Sequence, residues 1–176
     1  IGKDAFGNII LDTLNQYHAG EDMICDEASS TSYSVVIAIP GIDRVFLHHS
    51  GANDTFVADD IDFQKVEEAS LFHFGYPPLM EALYANEGEG LMQLMQRVQE
   101  KGAATSLDLA AVDPNAKAGK IRWDIILKKT LPYVDFFVPS IEEICFMIDR
   151  DKFEELQVRA HGGDITDVLD IEKDVK

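Results

Sequence analysis

Tyr133-Val-Asp-Phe-Phe-Val-Pro-Ser-Ile-Glu-Glu-Ile-Cys-Phe-Met-Ile148 is the stretch on which the reading of this chain turns. Val134 to Val138 is short, β-prone and almost wholly apolar, the pattern of a strand buried on both faces of a parallel sheet. Pro139 ends the ladder. Ser140-Ile141-Glu142-Glu143 then opens a helix, with Ser140 as N-cap and Glu143 as its reciprocal partner in a capping box. A strand that ends where a helix begins aims backbone N–H groups and the positive end of a dipole at one spot, where α/β proteins tend to bind anions. Two roles are therefore open to Ser140 and Glu143, a helix cap or part of a phosphate site.

Upstream of this stretch, strand and helix patterns alternate. Leu71 to Gly75 reads as a short buried strand ended by Gly75-Tyr-Pro-Pro78. Leu79 to Tyr84 and Leu91 to Lys101 read as helices around the polar Asn86-Glu-Gly-Glu-Gly90. Ala104 to Leu109 is the next strand, followed by a long loop, Ala110 to Gly119, and a helix around Trp123, Ile126, Leu127 and Leu131. This alternation predicts an α/β fold with a parallel sheet and right-handed crossovers.

The first third of the chain is different. Phe6, Ile9, Ile10, Leu14 and Tyr17 recur with a helical period within residues 4–18, and Gly20 is placed to end that helix. Ser32 to Ile39 and Arg44 to His48 are β-prone runs joined by Pro40-Gly41-Ile42-Asp43, which predicts a hairpin projecting from the core as its own small sheet. A small polar loop, His49 to Thr55, and a short acidic helix, Asp59 to Ala69, lead into the alternating part. The tail from Asp149 is charged and expected to be helical in part.

Composition bounds the function. With 176 residues, 46% of them hydrophobic, the chain can build one substantial core. A net charge of −17 repels nucleic-acid backbone and anionic membrane, arguing against both as partners. A phosphate-bearing ligand would then need a local basic patch or a bridging metal. Two cysteines, Cys25 and Cys145, are too few for a disulfide scaffold, and a reducing cytoplasm fits them best. No apolar run is long enough to span a bilayer. The chain opens at Ile1-Gly-Lys-Asp without an initiator Met, as expected of a fragment or a processed form.

In an open parallel sheet, ligands bind beyond the carboxyl ends of the strands. Gly75 and Tyr76, Asp108, and Ser140 to Glu143 mark three such ends. Asp108 and Glu143 facing one crevice suit Mg²⁺ held partly through water, with phosphates completing its shell. Asp108 serves equally as a loop cap. Lys117 and Lys120 in the long loop are placed to reach a phosphate, whereas Lys128 and Lys129 read as a solvated helix face. His48 and His49 point to opposite faces of a continuing hairpin and so do not act together. Asn53 sits where the hairpin rejoins the core. Its amide either bonds a polyol or closes its own turn.

Taken together and in order, these segments resemble the middle of a ribokinase-like (PfkB-type) carbohydrate kinase. Gly2-Lys-Asp-Ala-Phe-Gly7 resembles that family's G-x-D-x-F-G segment, and the hairpin Ser32 to His49 resembles its β lid. Gly51-Ala-Asn53 resembles the Gly-Ala-Asn after the lid, Ser106-Leu-Asp108 the strand ending in the Asp of its D-x-N turn, and Asp135 to Glu143 its D-x-x-x-x-N-x-x-E element. Ser140 departs from the Asn of that element.

The resemblance implies a three-layer α/β/α fold with a mostly parallel sheet. The core would span 1–31 and 50–176, and a lid hairpin 32–49. It implies ATP and Mg²⁺ as cofactors and a small-molecule sugar as acceptor, with a nucleoside kinase or a non-catalytic binding homologue as alternatives. Asn53, Gly75 and Tyr76 would contact the acceptor. Asp108, Lys117, Lys120 and Ser140 would line the nucleotide phosphates, with Glu143 holding Mg²⁺ through water. It further implies a homodimer paired through the lid, and a Gly-x-Gly-Asp catalytic base beyond Lys176, the chain being a kinase cut at both ends.

Overall fold

A computed structural model describes residues 1–40 and 44–174. In chain order the elements are helix α1 (Ala5–Asn15), strands β1 (Tyr33–Ile37) and β2 (Val45–His49), α2 (Phe63–Glu68), β3 (Leu71–Gly75), α3 (Glu81–Glu100), β4 (Ala104–Asp108), α4 (Trp123–Thr130), β5 (Phe136–Phe137), α5 (Ile141–Ile148), α6 (Arg150–Ala160) and α7 (Ile171–Asp174). Strands β3, β4 and β5 form a parallel sheet in that order, and β1 pairs with β2 as a separate antiparallel hairpin. Gly41, Ile42 and Asp43, on which the expected hairpin turn falls, lie outside the described residues.

Strand periodicity decides which side chains make the core. Phe72 and Phe74 of β3, Leu107 of β4 and Phe137 of β5 share the face packed by α3 and α4. Leu83, Leu91, Leu94, Met95, Val98, Trp123 and Ile126 answer from the helices, each no more than 1% exposed. Burying such a side chain contributes about 1.5–3 kcal/mol, so this sheet–helix sandwich dominates the stability. Side chains of the other parity, Leu71, Phe136 and Val138, remain more than half exposed.

That exposure corrects one expectation. Val134 to Val138 is not a strand buried on both faces. Only Phe136 and Phe137 join the ladder, and Phe136 is 58% exposed. The cause is position, because β5 is at the edge of the three-stranded sheet and only its inward parity, Phe137, packs against the core. At the amino end of the sheet, Asp135 accepts from the Thr105 N–H at 2.8 Å, while the Thr105 hydroxyl donates to the Tyr133 carbonyl at 2.8 Å. Thr105 is fully buried, so these bonds fix the register of β5 against β4.

The expected pair of helices around Asn86 is present as one element with a break. Asn86, Glu87 and Gly88 all adopt left-handed backbone within α3. Helix α1 is capped by Asp4, and its apolar stripe is not buried; Phe6 and Ile9 are 53% and 61% exposed. Every residue of β1 and β2 is also exposed. The acidic helix is shorter than expected, a turn at Ala58–Asp60 followed by α2. In the tail, Asp174 accepts from Arg159 at 2.9 Å and pairs with Lys152 at 3.2 Å, tying α7 to α6.

Candidate functional site at the carboxyl edge of the sheet

The three strand ends lie side by side. Gly75 of β3 is the register partner of Asp108 of β4, and the Tyr76 N–H donates to the Asp108 carbonyl at 3.3 Å. On the other flank, the Val138 N–H donates to the Leu107 carbonyl at 3.0 Å. The side chain of Asp108 accepts the Leu109 N–H through Oδ1 at 2.8 Å, the local cap that spacing allowed. Its Oδ2 takes no hydrogen bond among the described residues. Tyr76 turns away in the left-handed region, with φ 68°, and is 50% exposed.

Ser140 and Glu143 form the capping box. The Glu143 carboxylate accepts the Ser140 N–H at 2.7 Å, and the Ser140 hydroxyl accepts the Glu143 N–H at 3.2 Å. Two donors otherwise left open at the start of α5 are thereby satisfied. One carboxylate oxygen of Glu143 does this work through Oε2. Oε1 takes no hydrogen bond among the described residues.

Asn53 lies in a tight turn, Gly51–Thr55, and its Nδ2 donates to the Ser32 hydroxyl at 3.1 Å, across the two ends of the hairpin. Next to it, Asp54 accepts from the Ser50 hydroxyl and from the Glu81 N–H, the latter at 3.2 Å. Met80 precedes α3 and offers no side-chain cap, so Asp54 caps that helix from a distance in sequence. Sequence reasoning missed this role, because a cap supplied from outside its own helix leaves no local signature. A cleft of about 700 Å³ is lined by Met23, Ile24, Cys25, Asp26, Asn53 and Phe56 among others, and meets the residues singled out from sequence at Asn53 alone.

The cations of the long loop have separate surroundings. Lys117 Nζ holds both carboxylate oxygens of Glu81, at 3.0 and 2.8 Å, an exposed pair that bridges the long loop to the start of α3. Glu81 in turn raises the Lys117 pKa, first through that hydrogen bond. Lys120 borders a separate cleft of about 370 Å³ with Arg122, Trp123, Phe146 and Arg150. Arg122 is paired with Asp124, and the Arg150 guanidinium lies 3.4 Å over the Phe146 ring while donating to the Gly119 carbonyl.

The hairpin histidines point apart, as alternation requires. His49 Nε2 bonds the Ser30 hydroxyl at 2.7 Å and His48 Nδ1 bonds Ser34 at 2.9 Å. Burial pushes the His48 pKa down, with Asp54 opposing. Burial likewise pushes the Cys145 thiol up, as expected of an inert core cysteine. Asp164, after Gly162-Gly163, caps the turn Ile165–Asp167.

Among the described residues no three His, Cys, Asp or Glu side chains gather into a metal cage. The donor set suits instead a hard cation that keeps most of its water. Asp108 and Glu143 each leave one carboxylate oxygen free of protein hydrogen bonds at the same edge of the sheet, and Mg²⁺ is typically held by one or two carboxylates with phosphates and water. No described helix is long and apolar enough to cross a membrane.

No protein-family model matches the chain, and no curated protein matches it. Solved structures do. A fructokinase from Xylella fastidiosa with bound ATP superposes with a TM-score of 0.64 at 22% identity, over 96% of this chain and 48% of that one. For an adenosine kinase from Sinorhizobium meliloti the TM-score is 0.62 at 13% identity, over 93% of this chain and 49% of that one. A ribokinase from Thermotoga maritima gives 0.57 at 18%, over 99% and 46%. The chain therefore has a ribokinase-like α/β fold with an antiparallel hairpin, and it spans about half the length of the solved structures it matches.

Proposed function

We propose that these residues are the central part of a PfkB-type kinase that transfers the γ-phosphate of ATP to a hydroxymethyl group of a small sugar, in the cytoplasm. The observation that carries this reading is the adjacency of Gly75 and Asp108 at the carboxyl edge of a parallel sheet, with Asn53 at the root of a hairpin lid, in a fold shared with sugar and nucleoside kinases. Fold alone does not assign chemistry, so the residues must do so.

Phosphoryl transfer asks a protein mainly to position its reactants and stabilise charge. In this reading Gly75 and the Tyr76 backbone form the floor of the acceptor site, and the Asn53 amide bonds an acceptor hydroxyl from the lid side. Asp108 and Ser140 face the transferring phosphates, and Lys117 and Lys120 offer positive charge from the long loop. Glu143, with Asp108 at the same edge of the sheet, would hold the water shell of a Mg²⁺ ion bound with ATP, which would supply charge neutralisation. The hairpin folds over the acceptor and excludes water, limiting ATP hydrolysis. Its exposed strands pair with those of a second copy, giving a homodimer.

No Gly-x-Gly-Asp occurs in these 176 residues, so in this reading they lack the general base and are expected by themselves to turn over no substrate. A nucleoside kinase is the second reading, favoured by the adenosine kinase likeness. ADP release by the full reading frame, measured over a panel of sugars and nucleosides, separates the two. Release dependent on a sugar supports the first, and release dependent only on nucleosides replaces it.

A further inference from the structure

Asp4 stands where three parts of the chain meet. Its Oδ1 caps α1 by accepting the Gly7 N–H at 2.9 Å and also accepts the Thr31 hydroxyl at 2.7 Å. Its Oδ2 accepts the Thr31 N–H at 2.7 Å. Thr31 is 1% exposed, and its oxygen accepts the Gly2 N–H at 2.9 Å. The buried hydroxyl is thus used both as donor and as acceptor.

The two residues flanking Thr31 hold the returning end of the lid. The Ser30 carbonyl accepts the Ala52 N–H at 2.8 Å, and its hydroxyl bonds His49 at 2.7 Å. The Ser32 hydroxyl accepts the Asn53 amide at 3.1 Å. No slack remains where the two ends cross. Gly51 has φ +50°, and a Cβ there would run into the Ser30 carbonyl; one on Gly2 would run into the Ser29 carbonyl. The lid is therefore rigid at its root and exposed along its strands.

We propose that Asp4 is a positioning residue for the acceptor side of the crevice. Through Thr31 it fixes Ser30 and Ser32, and through them it sets the place of the Asn53 amide. The role of Asn53 rests on the kinase reading above, whereas the hydrogen-bond relay does not. A carboxylate is needed because one group must accept from Gly7 and from two donors of Thr31. Asn is as good an N-cap as Asp, but its amide nitrogen accepts nothing from the Thr31 N–H.

The test is NMR of the ¹⁵N-labelled chain carrying Asp4→Asn, Thr31→Val or Thr31→Ser. Asp4→Asn and Thr31→Val are expected to shift the side-chain amide resonances of Asn53 and to speed exchange of the Ala52 amide about tenfold more than that of Leu107 in the core. Thr31→Ser keeps the hydroxyl and is expected to resemble the parent. Unmoved Asn53 resonances with unchanged Ala52 exchange in Asp4→Asn would overturn the proposal. So would faster exchange spread equally over the core, the mark of a merely structural residue. If Thr31→Val does not fold, the Asp4→Asn and Thr31→Ser pair decides. No substrate enters the experiment, so its failure is distinct from failure of the kinase reading, which acceptor-dependent ADP release decides.

Discussion

Gly75 and Asp108 are register partners at the ends of adjacent parallel strands, and the Tyr76 N–H extends the ladder to the Asp108 carbonyl. Neighbouring strands lie about 4.8 Å apart, so one small ligand reaches both positions. A methyl on Gly75 meets only the His73 ring at an ordinary 3.8 Å. Gly75→Ala is therefore expected to change stability by less than about 0.5 kcal/mol, yet to raise the acceptor KM of the full-length protein under the proposed function. Thermal melts with acceptor titrations check this, and an unchanged KM removes Gly75 from the site.

Ser140 and Glu143 separate cap from metal site. Ser140→Ala is expected to cost about 1 kcal/mol in urea unfolding, and Ser140→Asn close to nothing, since both Ser and Asn cap well. Glu143→Gln keeps the reciprocal bond of the capping box and so keeps stability. In the full protein it is expected to raise the Mg²⁺ requirement and lower turnover. An unchanged Mg²⁺ titration would leave Glu143 a helix cap only.

How far the sequence could be read follows from the range of each interaction. The capping box was legible because Ser140 and Glu143 are three residues apart and bond each other. The parallel sheet and the hairpin were legible from periodicity. The exposure of Phe136 was not, because being at an edge is a property of the sheet and not of the strand. Asp54 capping α3, and the Thr105–Asp135 lock, join residues 27 and 30 apart and leave no local pattern. Asp4 belongs to the Gly2 to Gly7 motif, but its tie to Thr31 appears only once the chain is folded.

Thr130 sits in the last turn of α4, fully buried, with a hydroxyl that has no hydrogen-bond partner among the described residues. Burying an unpaired hydroxyl is costly, and Val matches its shape. Thr130→Val is expected to stabilise by about 1 kcal/mol, raising Tm by roughly 2–4 °C for a chain of this size. A lower Tm would mean that the hydroxyl has an unseen partner.

Stability should fall in acid through two carboxylates. Hydrogen bonds from Gly7 and Thr31 hold the Asp4 pKa at about 2, against an ordinary 3.8. The Asp170 N–H, with Arg159 and Lys152, holds Asp174 at about 2. Both pKa values are lowered on folding, so their stabilisation is complete above about pH 4 and is lost as pH falls towards 2. Urea midpoints between pH 5 and pH 2 should drop in the parent, and drop less in Asp4→Asn. A parallel fall in both proteins would exclude Asp4 as a contributor.

We propose that the carboxyl edge of the sheet at Gly75, Asp108 and Glu143 serves phosphoryl transfer. The most direct test is coupled ADP release by the full reading frame, with ATP, Mg²⁺ and a panel of sugars and nucleosides, beside the same protein carrying Asp108→Ala. Release is expected to depend on one acceptor and to fall about a hundredfold or more in the variant, as for loss of a charge-stabilising group. No acceptor-dependent release from the parent, or an undiminished rate in Asp108→Ala, would contradict it and favour a non-catalytic binding protein on the same fold.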